Sequence, residues 1–281
     1  MNPSGAAASF GLLAAATWGG SDFAGGVGAR RAPVLLVVSS GHFVSLLVLL
    51  AVCLGLHLHV PGAHDLLYAA LGGFEGALAL AVFYRALAMG PMGLPATLAG
   101  LLTALVPVVF SFFQEGLPSA LTVLGLAMGC GAIWLITHTP ANQGAGTPRT
   151  ALLLGSLAGV GFGFQLILFK IASGGGILWE MTSARAGGVA ALLLFLVVMP
   201  PQRPWRGFWL TGIAAGLLDT LGSLFYIHAT QLGRLDVAAV VGSLYPAGTI
   251  LLAAMVLREW PTRRQMGGMA LALAAALLLS A

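Results

Sequence analysis

The sequence predicts an all-α membrane protein with ten transmembrane helices. Of its 281 residues, 59% are hydrophobic and only 7% are charged, and the mean hydropathy is +0.98. Soluble proteins carry about 25% charged residues. Apolar runs long enough to cross a bilayer recur along the whole chain, and short connectors separate them. Together these observations favour an integral membrane protein with several spans and leave no room for a soluble domain.

Ten predicted spans follow one another, each close to the length of about 20 residues that crosses the hydrocarbon core. Their ranges are 8–28, 33–56, 66–89, 92–113, 119–138, 150–172, 177–199, 207–230, 235–257 and 263–281. Helix breakers mark the connectors, as in GPMG at 90–93, SGGG at 173–176 and PPQRP at 200–204. No Lys or Arg precedes the first run, so we interpret it as a retained span rather than a signal peptide.

The longest connector, HTPANQGAGTPRT at 138–150, is polar and lies at the middle of the chain. Five predicted spans lie on each side of it. We therefore predict a first repeat over residues 1–138, a linker over 139–149 and a second repeat over 150–281. Because five is an odd number, the second repeat would enter the membrane from the opposite side. This is the inverted-repeat plan of secondary transporters.

Acidic residues agree with this duplication when the halves are compared at an offset of 144 residues: Glu115 aligns with Glu259, and Glu75 aligns with Asp219. Glu75 and Asp219 both fall near the middle of a predicted span, where a carboxylate is costly unless it faces water or a partner. Burial favours the neutral form of such a group, so we expect both to bind and release a proton in a central cavity. The alternative is a static hydrogen bond between helices. We interpret Glu115 and the Arg258–Glu259 pair as markers of the membrane boundary.

Further candidates for the cavity are polar and aromatic residues in the spans. Trp18 lies near the centre of the first span rather than in the interfacial belt where Trp is usual, and Asp22 lies one turn further on. The alternative for Asp22 is that it caps or kinks a Gly-rich helix end. The remaining candidate cavity residues are Tyr84, Tyr226, His228 and Tyr245.

Other charged and titratable residues in the spans have a simpler interpretation. Arg85 could bind a carboxylate or phosphate through its planar fork, but extension of its side chain to the nearby interface is favoured. Lys170 and Arg185 are predicted near helix ends and receive the same interpretation. His42 is alone in its span and is interpreted as a buried, hydrogen-bonded histidine; the alternative is that His42, like His228, titrates near neutral pH.

Two prolines, Pro107 and Pro246, are predicted inside the fourth and ninth spans. Each removes a main-chain hydrogen bond and kinks its helix. We predict that they act as hinges, and a rigid kink that only shapes the bundle is the alternative.

Short motifs in both halves resemble a known family. The second half contains LYPAGTILLAAMVLREWPTRRQMGGMALALAAALLL at 244–279, in which Pro246 precedes Glu259 by thirteen residues. The first half contains WGGSDF at 18–23 and FYRALAMGP at 83–91. With ten spans in two halves, the chain resembles the EamA-domain branch of the drug/metabolite transporter superfamily over essentially its whole length.

The resemblance implies a secondary transporter of small organic solutes, such as amino acids, drugs or metabolites, that works by alternating access and often exports. The central carboxylates predict proton coupling through Glu75 and Asp219. The alternatives are a sodium-coupled carrier with ten helices and a membrane-embedded enzyme. One departure from the family pattern is that Leu102, not proline, lies thirteen residues before Glu115, so the kinks of the fourth and ninth spans should differ.

The expected partners are the solute, protons and the lipid bilayer, and a monomer or a homodimer would suffice. The sequence lacks the motifs of zinc proteases, serine hydrolases and Mg²⁺-diphosphate enzymes, so no catalytic residue, metal or cofactor is predicted. No basic cluster indicates nucleic acid.

The distribution of arginine predicts the orientation. Eight arginines flank the connections from odd to even spans: Arg30, Arg31, Arg149, Arg203, Arg206, Arg258, Arg263 and Arg264. The positive-inside rule places this Arg-rich side in the cytoplasm, so both termini would face outward, whereas many members of the family are thought to have cytoplasmic termini. Eleven of the twelve basic residues are Arg, which indicates a GC-rich bacterial genome and therefore a plasma (inner) membrane.

Overall fold

The computed structural model describes residues 3–115, 148–172, 176–200, 209–232 and 241–279, and the single positions 120, 124, 125, 127, 128, 131, 135, 174 and 238. The α-helices are α1 (Pro3–Ala29), α2 (Val34–Gly55), α3 (Ala63–Ala88), α4 (Gly93–Glu115), α5 (Arg149–Ala172), α6 (Ile177–Val198), α7 (Trp209–Leu232), α8 (Tyr245–Leu252) and α9 (Arg263–Leu279). A π-helix, Ala253–Leu257, continues α8. The described residues contain no strand.

Six of these helices are long and apolar enough to cross a membrane by length and composition: α2, α3, α4 over Gly93–Phe110, α5, α6 and α7. The prediction of an all-α, multi-pass membrane protein is therefore confirmed. The predicted fifth span, 119–138, lies mostly outside the described residues, as does the side chain of Glu115.

The helices begin and end where the sequence carries breakers. Pro33 immediately precedes α2, and Gly62 immediately precedes α3. Gly176, before α6, has a φ of +131°, which is costly for any residue with a side chain. Gly90 and Pro91 follow the end of α3, and a proline cannot continue the helical hydrogen bonds. Connectors this short make consecutive helices run in opposite directions through the bundle.

The ninth predicted span is not one continuous helix. Residues 243–244 form a turn, α8 starts immediately after it, and Arg258 ends the π-helix in the left-handed conformation, with a φ of 57°. Pro246 therefore lies in the first turn of α8, not inside a helix as predicted. A proline is well tolerated there, because the N–H groups of a first turn have no partner within the helix. Pro107 does lie inside α4, which continues through it.

Contacts between the first four helices and the last five hold the bundle together. α1 packs on α7 and α8, α3 on α5 and α6, α4 on α5, and α2 on α6 and α7. Small residues allow these backbones to approach closely. A Cβ atom on Gly41 of α2 would lie 2.6 Å from the Gly212 carbonyl oxygen and 2.8 Å from the Cα atom of Gly216 in α7. A Cβ atom on Gly73 of α3 would come still closer to the Ala184 backbone of α6, so the halves meet backbone to backbone at two crossings.

Candidate functional site

A small cavity of about 40 Å³ lies between the two halves of the bundle. Its lining residues come from α1, α3, α4, α5, α7 and α8: Trp18, Asp22, Leu80, Thr103, Phe162, Gln165, Leu166, Asp219 and Tyr245. Most of them lie well inside their helices, and Tyr245 lies at the break in the ninth span. The cavity is therefore near mid-depth. Four candidates from the sequence line it: Trp18, Asp22, Asp219 and Tyr245.

Asp219 belongs to a buried ion pair that the sequence analysis did not predict. The Nη2 atom of Arg185 in α6 lies 2.6 Å from the Oδ2 atom of Asp219, and the Arg185 side chain is only 3% exposed. The interpretation of Arg185 as an arginine that extends to the interface is wrong. It is the ninth residue of α6, about 12 Å from the start of the helix, and the Asp219 carboxylate compensates its charge inside the bundle.

His42 of α2 holds the other side of the Arg185 guanidinium group. Its Nε2 atom lies 3.1 Å from Arg185 Nη1, and its Nδ1 atom lies 3.2 Å from the Val38 carbonyl oxygen. An arginine only donates hydrogen bonds and a carbonyl only accepts them. His42 is therefore neutral, with its proton on Nδ1. It is buried and hydrogen-bonded, as expected, and it positions Arg185 against Asp219.

Asp22 is the second carboxylate at the cavity. The residue is 5% exposed and lies within electrostatic range of Asp219. It forms no hydrogen bond or ion pair with the residues that the structure describes. α1 continues for seven residues beyond Asp22, so it does not cap a helix end. Within the described ranges, no group of three or more His, Cys, Asp or Glu side chains could hold a metal ion.

Aromatic side chains form an apolar wall at the cavity. The Trp18 ring centroid lies 5.7 Å from that of Tyr226 and 6.4 Å from that of Tyr245. Phe83 meets Phe162 and Tyr245 edge to face, with centroids 5.5 and 6.2 Å apart. Tyr226 is fully buried beside this wall, and its hydroxyl group has no hydrogen-bond partner among the described side and main chains. Edge-to-face contacts of this kind fix the orientation of the rings.

Tyr84 lies behind Asp22 and joins three helices. Its ring packs against Gly25 of α1, where a Cβ atom would overlap it. Its hydroxyl oxygen lies 3.1 Å from Ser21 Oγ, which donates to the Ala215 carbonyl oxygen of α7 at 2.8 Å. The Tyr84 hydroxyl also donates to the Ser21 main-chain oxygen at 3.3 Å. Tyr84 therefore links α1, α3 and α7, and it does not line the cavity.

Glu75 does not line the cavity either. A Cβ atom on Gly161 of α5 would lie 2.5 Å from its Oε1 atom. Its Oε2 atom is buried and has no hydrogen-bond partner in the described part of the chain. The adjacent Gly76 packs against Gln165, which does line the cavity. Glu75 and Asp219 thus align in sequence but lie in different surroundings.

Three other residues singled out in the sequence lie away from the cavity. His228, a candidate cavity residue, meets Phe10 edge to face, with ring centroids 4.5 Å apart. Arg85 is exposed, as expected for a side chain that extends to the interface. Lys170 Nζ donates to the main-chain oxygen of Thr230, near the end of α7, at 3.0 Å.

A second ion pair closes the bundle where α1 and α3 end. Arg30 Nη2 lies 2.8 Å from Glu259 Oε1 and donates to the Gly90 carbonyl oxygen at 2.7 Å. The main-chain N–H of Met92 donates to Glu259 Oε2 at 2.9 Å. Glu259 therefore pairs with Arg30 in the first half, not with its neighbour Arg258. We call Arg30, Gly90, Met92 and Glu259 the Arg30–Glu259 clamp.

The sequence contains signals for some of the cavity residues and partners that were not predicted from it. Arg185 stands well inside its predicted span, a position too deep for easy extension to the interface. The repeat offset of 144 residues aligns Trp18 with Phe162 and Asp22 with Leu166, and all four residues line the cavity.

Comparison with known proteins finds a family match in the second part of the chain. Residues 149–281 match the EamA-like transporter family. This match and the six long, apolar helices support a multi-pass membrane protein that resembles transporters of small solutes.

Two further similarities concern a curated protein and a solved structure. The chain is 26% identical over 136 residues to an uncharacterized protein of Methanocaldococcus jannaschii, a match that covers 47% of this chain and 96% of that protein. It also resembles a crystal structure of a protein with a TM-score of 0.69 and 19% identity, over 97% of this chain and 95% of the other. At this identity, the second similarity shows a shared fold.

Proposed function

We propose that the protein is a secondary transporter that moves small organic solutes by alternating access through the central cavity. The position of the cavity carries this proposal: it lies near mid-depth, helices of both halves surround it, and Asp22 and Asp219 line it. Transporters built from two related halves hold their substrate in this place. The mixture of apolar and polar walls is typical of sites for small organic molecules.

Two features support ten helices in two inverted repeats. Exchange of the halves would replace α1 by α5 and α3 by α7. The α1–α7 and α3–α5 contacts, which are among the most extensive in the bundle, would then be equivalent. In addition, the relative from M. jannaschii is about half as long as this chain, which is the length of one predicted repeat.

The described conformation supports a closed state of the transport cycle. A volume of about 40 Å³ accommodates a few water molecules, whereas pockets for drug-sized ligands measure about 300–1,000 Å³. The Arg30–Glu259 clamp holds one end of the bundle together. Entry of a solute from that end would therefore require the clamp to open and the cavity to expand.

Transport by purified protein in liposomes tests this function. Uptake of a panel of radiolabelled amino acids, amines and drugs is measured for the wild type and two tryptophan variants. Thr103→Trp fills the cavity and should abolish uptake, whereas Leu153→Trp changes a side chain that is 70% exposed on α5 and should preserve it. Gel filtration and thermal unfolding establish that both variants are folded. Equal uptake by the two variants would contradict transport through this cavity.

We also propose that the Arg-rich side faces the cytoplasm of a bacterial cell and that the protein exports its solute across the plasma membrane. The arginine distribution supports this orientation. A reporter enzyme that is active only in the cytoplasm, fused to the C-terminus, should remain inactive. Strong reporter activity would show the opposite orientation.

Proton coupling through Glu75 and Asp219 remains a hypothesis from the sequence. The surroundings of Glu75 support proton coupling, because its Oε2 atom is buried and has no hydrogen-bond partner among the described residues. Asp219 supports it less, because a proton on Asp219 would have to disrupt the 2.6 Å ion pair with Arg185. Glu75→Gln and Asp219→Asn should change the pH profile of transport. If both variants keep the rate and the pH profile of the wild type, this pair does not couple protons.

A sodium-coupled carrier is the second candidate. The break at residues 243–244 favours it, because discontinuous helices near mid-membrane bind coupling ions in several carriers. Replacement of external Na⁺ by K⁺ in the liposome assay should then stop uptake, and unchanged uptake would exclude sodium coupling.

A further inference from the structure

A groove of about 160 Å³ lies beside the Arg30–Glu259 clamp, and the proposed transport path does not use it. Its walls come from α4, α8, the π-helix, α9 and the connectors that precede α4 and α9. The first half of the chain supplies Pro91, Gly93 and Leu94, and the second half supplies the rest. The groove shares no lining residue with the central cavity, so it is a separate joint between the two halves.

The groove lies at one end of the bundle, at the level of the lipid headgroups. α4 begins at Gly93, the π-helix ends at Leu257 and α9 begins at Arg263, so the elements around the groove begin or end there. Trp260 lines the groove and is 75% exposed. Tryptophan is enriched at the interface between hydrocarbon and water, where its ring is apolar and its N–H can reach polar partners. A molecule that fits this groove is therefore one that itself lies at this interface.

Three arginines beside the groove have no acidic partner in the part of the chain that the structure describes. Arg258 immediately precedes the connector segment that lines the groove, and Arg263 and Arg264 immediately follow it. All three residues are exposed, and none of them forms an ion pair with a described residue. The acidic residue of the groove, Glu259, is compensated by Arg30 at 2.8 Å. The groove thus has a positively charged rim.

The start of α9 adds to this positive charge. Arg263 and Arg264 occupy its first turn, and no acidic residue does. The N-terminal end of a helix carries a partial positive charge, so acidic side chains are favourable there and arginines are not. An anion from outside the chain would relieve this repulsion, and the planar fork of arginine matches two oxygens of a phosphate.

The inner wall of the groove is apolar. Leu94, Ile250 and Met269 line it, and no lysine or arginine is among its described lining residues. A soluble phosphate would use the positive rim alone, whereas a phospholipid presents a phosphate and an acyl chain together. Basic pockets between helices at the membrane surface bind the headgroups of anionic lipids in this manner.

We propose that this groove binds one anionic phospholipid. The phosphate lies on Arg258, Arg263 and Arg264, and the first carbons of an acyl chain lie along the apolar wall. Because both halves of the chain line the groove, the lipid bridges them next to the clamp. A ligand that binds only the closed arrangement stabilises it by mass action, so the lipid holds this end of the bundle closed.

Native mass spectrometry of the purified full-length protein in a neutral detergent tests the site. The probes are dioleoylphosphatidylglycerol, which is anionic, dioleoylphosphatidylcholine, which has the same chains and no net charge, and glycerol phosphate, which has no chains. We expect one tightly bound phosphatidylglycerol per protein molecule, an affinity roughly 10- to 100-fold above that of phosphatidylcholine, and no displacement by glycerol phosphate. Phosphatidylglycerol should also raise the melting temperature more than phosphatidylcholine does. None of these measurements requires transport.

Three results would overturn the proposal. Equal affinities for the two lipids would mean that the groove is filled without regard to charge. Displacement of phosphatidylglycerol by glycerol phosphate would indicate a site for a soluble anion. One lipid for every two protein molecules would place the lipid at a contact between copies of the chain.

Arg263→Gln/Arg264→Gln supplies the decisive comparison. It removes two charges from the rim and should lower the affinity for phosphatidylglycerol roughly 25-fold, while the affinity for phosphatidylcholine stays the same. Arg85→Gln/Arg149→Gln is the matched control, because both arginines are exposed and neither is next to a lining residue in the sequence. It should bind as the wild type. Thermal unfolding without added lipid establishes that both variants are folded. An equal loss of affinity in the two variants, or wild-type affinity in both, would also overturn the proposal.

Discussion

Neutralisation of Glu259 should open the bundle on its Arg-rich side. Glu259 binds Arg30 at 2.8 Å and the Met92 N–H at 2.9 Å. Both interactions join the first half of the chain to the segment that follows the π-helix, so both are lost when this end of the bundle separates. Glu259→Gln keeps the size of the side chain and an oxygen acceptor but removes the charge. The two interactions are therefore weakened while the packing is preserved.

The exposure of the two side chains sets the size of the effect. Arg30 is 26% exposed and Glu259 is 17% exposed, so solvent screens the ion pair only in part. The pair contributes about 1 kcal/mol, and the change from a charged to a neutral acceptor for the Met92 N–H costs about 1 kcal/mol more. A total of about 2 kcal/mol shifts the ratio of open to closed molecules about 30-fold.

Alkylation of a single cysteine measures this opening. Thr103→Cys places the thiol in the cavity, in a background where Cys53 and Cys130 are replaced by alanine. A membrane-impermeant maleimide added from the Arg-rich side should label this cysteine about 30-fold faster in the Glu259→Gln variant. Labelling from the opposite side should not accelerate.

Arg31→Gln is the control for the loss of one charge at this end of the bundle, because Arg31 is exposed and adjacent to Arg30; its charge change is opposite in sign to that of Glu259→Gln. It should label as slowly as the parent protein. Equal labelling rates for the parent and Glu259→Gln would refute the reasoning. So would an equal acceleration in Arg31→Gln, because any substitution of a charged residue at this end would then suffice and the clamp would not be the cause.

Two further predictions concern stability. Asp219→Asn leaves Arg185 buried without a counter-ion and should lower the free energy of unfolding by about 3–5 kcal/mol. Replacement of both residues by leucine should recover most of this loss. If the double variant is no more stable than Asp219→Asn in thermal unfolding, the ion pair is not the cause. Gly41→Ala should lower the melting temperature, because the new methyl group would lie 2.6 Å from the Gly212 carbonyl oxygen, whereas Gly55→Ala, which has nothing within 4 Å, should not. Equal melting temperatures of the two alanine variants would contradict the close helix crossing.

Much of the helical fold could be predicted, because the apolar runs and their breakers report directly on local structure. For the second span, the predicted range of 33–56 compares with a helix over Val34–Gly55. For the seventh span, the predicted range of 177–199 compares with a helix over Ile177–Val198. The break in the ninth span escaped prediction. A proline such as Pro246 is compatible both with a kink inside a helix and with the first turn of a new one, and only the packing around it decides.

The candidate site was predictable in its residue types but not in its partners. Asp22 and Asp219 stand out because carboxylates are rare and costly in membrane spans. The partner of Asp219 did not stand out, because the depth of Arg185 in its span does not show which distant residue pairs with it. His42 reaches Arg185 across 143 positions of sequence. Helical periodicity carries no information on such distant contacts.

The crossings at Gly41–Gly216 and Gly73–Ala184 have a mechanical consequence. Interlocked side chains must change rotamers before two helices can tilt against each other, and glycine contacts impose no such requirement. In the proposed cycle, the helices would tilt about these two crossings, which act as the pivot. The end of α2 at Gly55 lies about 21 Å from Gly41, so a tilt of about 10° at the crossing displaces that end by about 4 Å. Pairs of spin labels that join α2 to α7 should then report distances that change in opposite directions at the two ends of these helices. A pair placed beside the pivot should report a constant distance.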